Sequence, residues 1–247
     1  MKRIETWYQI HGGQQQESIG LVDTADFDWV APLEAEWRTI RDEVETFMDR
    51  HPDRLTPYFD KRVTEEPQSW KTLSFRFWYL GDRNNQAKCP ETMKILAKVP
   101  HVTSLGVSVL EPGADIFAHR GDTNATYRCH LPLSVPAGLP FCGFRVAGEA
   151  RAWEEGKLLM FSDAAMHQAW NKTDRRRFVL LFDIMRPEFF YKEYRVCAFV
   201  LATMATISLT QKASIFRRAP ESVKAAIRWA IAGSYWVILR LKNAGVA

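Results

Sequence analysis

Between His101 and Arg186 five short β-type runs follow one another, separated by turn residues: "TSLGVSVLEPGA", "YRCHLPLSVPAG", "FCGFRVAGEARAW", "EEGKLLMFSDA" and "RRFVLLFDIMRP". Five such runs in so short a stretch argue for an all-β sandwich or barrel. The flanks read differently. From Pro32 to His51 the residues Leu33, Trp37, Ile40, Val44, Phe47 and Met48 recur at spacings of three and four, which predicts one amphipathic helix with Pro32 in its first turn. A shorter helix is expected after Pro90, over "PETMKILAKV", and "SWKTLSFRFWYLG" between the two has the aromatic look of a strand.

The chain of 247 residues suffices for one well-buried domain with an appendage, and its 47% apolar and 25% charged residues exclude a disordered protein. The expected division is a domain over residues 1–190, with its β core at about 101–187, and a basic, apolar helical tail over 191–247. Charge marks the same boundary. From Lys192 onward nine Lys/Arg face only Glu193 and Glu221, so the tail carries +7, and the remainder, with 24 basic and 27 acidic residues, carries −3.

Within the tail, Val196–Leu209 is fourteen uncharged residues and Trp229–Leu239 is eleven, bracketed by Arg228 and Arg240. A bilayer span needs roughly 20 apolar residues, so neither crosses alone. Two readings stay open: interfacial insertion with Arg217, Arg218, Lys224 and Arg228 on anionic headgroups, or a helical hairpin packed on the body. The basic excess favours the first. Cys89, Cys129, Cys142 and Cys197 form no CxxC pair, and "MKRIETWYQIHGGQQQ" lacks the apolar run of a signal peptide. A cytoplasmic location is expected, on the inner face of the plasma membrane if the tail binds lipid. No nucleic-acid partner is expected.

The chemistry concentrates in "AHRGDTNATYRCHLPLSV" and "MHQAWNKTDRRRFVLLFD". His119 opens what looks like an iron site, but Gly121 stands where a carboxylate is usual. The motif is broken, of another kind, or not a metal motif. In an extended strand Arg128 and His130 share one face with Pro132, while Cys129, Leu131 and Leu133 share the apolar other. If that first face is interior, a bound carboxylate is the cheapest way to tolerate the charge. A solvent-facing strand is the competing reading. His167 is expected to end a run, with "NKTD" a turn and Arg177, Val179, Leu181 and Asp183 on one face of the returning strand. Arg177 is then a second carboxylate grip, while Arg175 and Arg176 decorate a solvated end. A dicarboxylate that also chelates a metal would use both arginines and both histidines, and 2-oxoglutarate on Fe(II) has that chemistry.

The motifs "CPET", "SVLEPGADIFAHRG", "YRCHLPL", "WEEGKLLMFSDAAMHQAWN" and "RRRFVLLFDIMRP" occur here in an order and spacing that resemble the aspartyl/asparaginyl β-hydroxylase family of iron- and 2-oxoglutarate-dependent dioxygenases. The resemblance covers roughly Trp37 to Pro187. It implies a double-stranded β-helix, a jelly-roll relative of the cupins, with flanking helices. It implies His119 and His167 as the iron ligands, Arg177 with Ser108 on the distal carboxylate of 2-oxoglutarate, and Arg128 with His130 on its metal-proximal carboxylate. Family members resemble this chain in carrying glycine at the position of Gly121, so the motif is of another kind rather than damaged. Asp122 departs from the proline found in many relatives. It is expected either to support the site from outside the ligand shell or to reach the metal through a bulge. Trp153, Trp170 and Asn171 are expected to serve packing and turn formation.

The reaction implied converts 2-oxoglutarate and O₂ to succinate and CO₂ while hydroxylating an unactivated C–H. One branch of the family acts on Asp/Asn side chains in peptides, and another on acyl chains of lipid A or ornithine lipids. A free amino acid is a third possibility. The basic tail favours a membrane lipid as substrate and an anionic membrane surface as partner. Halogenation, for which relatives also carry Gly or Ala in place of the carboxylate, and a non-catalytic jelly-roll binding module are the remaining alternatives.

Overall fold

The structure is a computed structural model that describes residues 4–11, 20–60 and 62–243. The opening stretch tested for a signal sequence therefore lies partly outside the described residues. Eleven strands are described: β1 (Thr56–Pro57), β2 (Trp70–Phe77), β3 (Leu80–Gly81), β4 (Val102–Leu110), β5 (Asp115–His119), β6 (Thr126–Ser134), β7 (Cys142–Val146), β8 (Glu149–Arg151), β9 (Leu159–Ser162), β10 (His167–Asn171) and β11 (Arg177–Met185). They form a large sheet in the order β1-β2-β4-β11-β6-β9, with β3 beside β2, and a small sheet in the order β5-β10-β7-β8. Every pairing is antiparallel. The two sheets face each other across Trp70, Leu110, Phe161 and Val179 on one side and Ile116, Phe144, Val146 and Ala169 on the other. This is the expected double-stranded β-helix.

The period of two decides what faces inward. On β6 Cys129, Leu131 and Leu133, and on β11 Phe178, Leu180 and Phe182, point to the outer face of the large sheet, where Ile40, Val44, Phe47 and Ile95 of the helices cover them. Arg128, His130 and Arg177 are left for the interior between the sheets, as the alternation predicts. Those helices are α1 (Val30–Ala35), α2 (Trp37–Arg50), α3 (Arg83–Gln86) and α4 (Pro90–Leu96). The single helix expected from Pro32 to His51 is two, because the chain leaves helical geometry at Glu36 (φ −96°, ψ 7°). The "CPET" residues begin α4 but do not cap it with their own side chains. Glu43 of α2 accepts from the Glu91 and Thr92 amides at 3.0 and 2.7 Å.

Two of the small-sheet strands were missing from the five-run reading. β5 lies in "DIFAH", and His167 opens β10 rather than ending a run. Both are only five residues long, and they become strands because the small sheet pairs them. The tail is a helical hairpin of α5 (Glu193–Lys212), α6 (Ser214–Arg217) and α7 (Glu221–Asn243). Val196, Cys197, Val200 and Leu201 of α5, with Leu239 of α7, pack on Trp78, Ala125, Met185 and Phe189 of the body. No helix among the described residues is long and apolar enough to cross a membrane. All four cysteines are free and buried.

Candidate active site

His119 ends β5 and His167 opens β10, and the two are directly opposite in the ladder. Their ring centroids are therefore only 4.2 Å apart, at 55°. Each Nδ1 lies 2.8 Å from the carbonyl oxygen two residues earlier, Phe117 and Ala165 respectively. An Nδ1–H donated to a carbonyl leaves the lone pair on Nε2, the form that ligates a metal. The Nε2 of His119 is buried and has no partner among the described residues. Burial lowers the pKa of both rings, with Arg128 adding to it, and on His167 the neighbouring His119 adds more. Both imidazoles are thereby biased toward the neutral form.

Position 121 has no room for a side chain. A Cβ there would sit 1.7 Å from Asp163 Oδ2. Asp163 is wholly buried, and its carboxylate takes the space that a ligand at position 121 would need. Arg128 holds it, with Nη1 2.8 Å from Asp163 Oδ1. Burial pushes the Asp163 carboxyl up to about 7, against the pull of Arg128. The sequence reading missed this residue, although an acid closing the apolar run "LLMFSD" four positions before His167 was a visible signal. Among the described residues no group of three or more His, Cys, Asp or Glu side chains is placed to hold a metal. Asp122 is thus not a third ligand beside the imidazoles. Burial raises its carboxyl to about 6, and its charged surroundings are Arg128, Asp183 and Asp60.

Arg177 opens β11 and is 1% exposed. Its Nη1 is 3.2 Å from the Ser108 carbonyl and 3.4 Å from Ser108 Oγ, and its guanidinium carbon lies 4.5 Å from the centre of the Trp153 ring. Its Nε has no partner, and no carboxylate among the described residues pairs with it. Burial pulls its pKa down to about 10. Ser108 Oγ accepts from Trp70 Nε1 at 2.9 Å, which leaves its own O–H free to donate. His130 Nδ1 accepts from Trp153 Nε1 at 3.3 Å, so the ring proton sits on Nε2. Burial, then Arg177 and Arg128, push this imidazole well below its ordinary pKa. Trp153 thus contacts two candidate site residues as well as packing, whereas Asn171 stitches the turn through Leu110, Glu111 and Arg175 carbonyls.

Arg128 is less available than the sequence suggested. Its Nε and Nη2 grip Asp183 at 2.9 and 3.1 Å while Nη1 holds Asp163. Even so, Ser108, His119, Arg128, His130, His167 and Arg177 all line one cleft, walled by Trp70, Phe144, Phe161 and Leu181. The cleft presents a pair of imidazole lone pairs, an unneutralised cation, and hydroxyl and imidazole donors. That donor set fits a divalent metal chelated by a dicarboxylate, because the dicarboxylate supplies the ligands and the negative charge that the protein lacks.

Residues 34–187 match the aspartyl/asparaginyl beta-hydroxylase family. The chain is 36% identical over 170 residues to the ornithine lipid ester-linked acyl 2-hydroxylase of Rhizobium tropici, an alignment covering 67% of this chain and 60% of that protein. It is 31% identical over 188 residues to the aspartyl/asparaginyl beta-hydroxylase of Homo sapiens, covering 73% of this chain and 24% of that protein. The matched region therefore spans 60% of the length of the first relative and 24% of the second. A solved 2OG-Fe(II) oxygenase family oxidoreductase from Burkholderia pseudomallei superposes with a TM-score of 0.44 at 12% identity, over 64% of this chain and 91% of that one. By the extent of the family match, this chain belongs to the aspartyl/asparaginyl beta-hydroxylase family.

Proposed function

We propose that this chain is an Fe(II)- and 2-oxoglutarate-dependent hydroxylase acting on the acyl chain of a membrane lipid. The observation that carries the catalytic part is a single cleft holding both the paired imidazoles and the buried, unneutralised Arg177. His119 and His167 would hold the iron through Nε2. Arg177 and the Ser108 hydroxyl would take the distal carboxylate of 2-oxoglutarate. His130 would donate Nε2–H to the metal-proximal carboxylate, with Arg128 adding positive field while it remains tied to Asp163 and Asp183.

When bound, the iron and 2-oxoglutarate supply O₂ activation coupled to decarboxylation, with one oxygen atom passing to succinate and one to substrate. The chain's own work is orientation and exclusion of water. Trp153 fixes the proton of His130 on Nε2 and covers Arg177 with its ring face. Phe144, Phe161 and Leu181 give the cleft apolar walls, which would strengthen each charged contact in it. Asp163 fills the space beside Gly121 that a carboxylate ligand from that position would need, so the chain would offer the iron only its two imidazoles.

The lipid reading rests on the similarity to the Rhizobium tropici acyl hydroxylase over two thirds of this chain and on the basic, apolar hairpin. Anaerobically iron-loaded protein given 2-oxoglutarate, O₂ and dispersed ornithine lipid or lipid A should form succinate and a lipid heavier by one oxygen atom. Product on an Asp/Asn-containing peptide and none on lipid would move the substrate to the peptide branch. No 2-oxoglutarate turnover at all, with iron affinity unchanged by His119→Ala, would remove the enzyme reading.

A further inference from the structure

The hairpin is anchored to the body through its base, while bare apolar side chains run from its tip along α7, where Trp229, Val237, Ile238 and Leu241 are 42–66% exposed. Its base packs on the body through Val196, Val200, Leu201 and Leu239, and Phe199, Ala202 and Ala232 form a second small cluster. Its tip, residues 207–223, contributes no residue to either cluster. Ile215 is 81% exposed, and Ile207, Leu209 and Val223 are each 40–45% exposed. Lys212, Arg217 and Arg218 lie among them and form no ion pair among the described residues. Beyond Glu193 the tail has one acid, Glu221, and it is shared by Arg228 at 3.2 Å and Lys224 at 3.8 Å. The bare aliphatic side chains are disfavoured in water, while the unpaired cations beside them seek anions. They suit the boundary between acyl chains and anionic headgroups, where a segment too short to span can insert its apolar side chains.

The position of the hairpin matters as much as its composition. It seats against Ala125 and Met185, at the opposite end of β11 from Arg177. The N-terminal segment is wedged between it and the loop that follows His119. Tyr8 meets Phe199 at 4.4 Å and bridges to Thr123, Gln9 Nε2 donates to the Arg120 carbonyl at 3.2 Å, and the Trp7 amide donates to Asn124 Oδ1 at 2.8 Å. The hairpin is therefore built onto the imidazole end of the cleft.

We propose that the hairpin tip, from Ile207 to Val223, docks on an anionic phospholipid surface, with Ile215 and Leu209 in the interface and Lys212, Arg217 and Arg218 on the headgroups, so that the His119 end of the barrel is held at the bilayer. Docking itself does not depend on the catalytic reading, whereas the benefit of that orientation rests on the acyl-chain substrate proposed above. A second copy is a poorer occupant, because a two-fold contact would set the three cations of one tip against those of the other.

Vesicle co-sedimentation of the full chain tests it, with phosphatidylcholine alone and with phosphatidylglycerol added. The chain should bind the anionic vesicles, weaken with added salt, and leave neutral vesicles largely unbound. Arg217→Ala with Arg218→Ala, and separately Ile215→Glu, should each lose about tenfold in vesicle affinity. Both variants should keep succinate formation on detergent-dispersed lipid and lose it on lipid embedded in vesicles. Equal binding to neutral vesicles, or variants that bind as well as the parent, would overturn the proposal. So would a dimer in light scattering that Ile215→Glu dissolves while no vesicle binding occurs. Binding as expected but with no turnover of any lipid would uphold the docking surface and remove the substrate reading.

Discussion

Arg128 and Arg177 stand on adjacent strands, β6 and β11, and both turn into the same cleft, yet the fold treats them in opposite ways. Arg128, 14% exposed at its side chain, meets two carboxylates. Burial works against its charge, but Asp163 and Asp183 outweigh that and set its pKa well above the ordinary value. Arg177 meets a serine, a carbonyl and an indole face, and burial pulls it down. A buried charge without a counter-charge is expensive, and folded proteins rarely keep one unless something else neutralises it. The difference teaches that Arg128 belongs chiefly to the framework and Arg177 to a ligand.

The largest effect should come from breaking the framework member. Arg128→Met leaves two buried carboxylates without a cation and should lower unfolding free energy by about 3–5 kcal/mol, read by urea denaturation. A variant as stable as the parent would show that Arg128 is no more structural than Arg177. Arg177→Met should do the reverse: about a hundredfold or greater loss of 2-oxoglutarate affinity by calorimetry, with thermal stability unchanged or higher without the co-substrate. Lower stability together with intact affinity would erase the contrast.

A third substitution probes the ground between them. Gly121→Asp, meant to restore a third ligand, instead drives a side chain into Asp163 and should cost about 1–3 kcal/mol of stability. Adding Asp163→Gly should recover most of that loss. If Gly121→Asp alone is tolerated and tightens iron binding, Asp163 does not hold the space assigned to it.

The pH dependence sharpens the same contrast. His130 has a folded pKa depressed by burial, so below about pH 6.5 the unfolded chain takes up a proton that the folded chain refuses. Its contribution to stability is complete above that pH and falls as pH drops. Asp163, raised to about 7, runs the other way, favouring the folded state more as pH falls toward the ordinary carboxylate range. The difference between the parent and His130→Gln therefore isolates the imidazole. That variant should lose less stability between neutral and mildly acidic pH, and identical slopes would mean His130 is not held neutral. The smallest effect is expected from Trp153→Phe. It removes one hydrogen bond to His130, worth about 0.5–1.5 kcal/mol, and should raise the KM for 2-oxoglutarate without unfolding the chain.

What could be read in advance follows from which forces act locally. The alternation along "YRCHLPL" placed Arg128 and His130 opposite Cys129, Leu131 and Leu133, because a strand has only two faces. It could not say who meets Arg128. Asp163 and Asp183 arrive from the turn after β9 and from β11, strands that flank β6 only through the strand order of the finished sheet. His119 and His167 are recognisable as candidates, but their facing register comes from a ladder between two five-residue strands too short to show by pattern. The hairpin was half legible. Its charge and apolar stretches were plain, while the division into a packed base and a bare tip needed the packing of α5 on Met185 and Phe189.

In the proposed reaction the iron is chelated by 2-oxoglutarate between the paired imidazoles and Arg177. Anaerobic titration of Fe(II)-loaded protein with 2-oxoglutarate, followed by the visible charge-transfer absorption of a keto acid chelated to ferrous iron, tests this directly. The band should grow to saturation in the parent, vanish in His119→Ala, and require far higher 2-oxoglutarate in Arg177→Met. A band of equal strength and equal midpoint in all three proteins would contradict it.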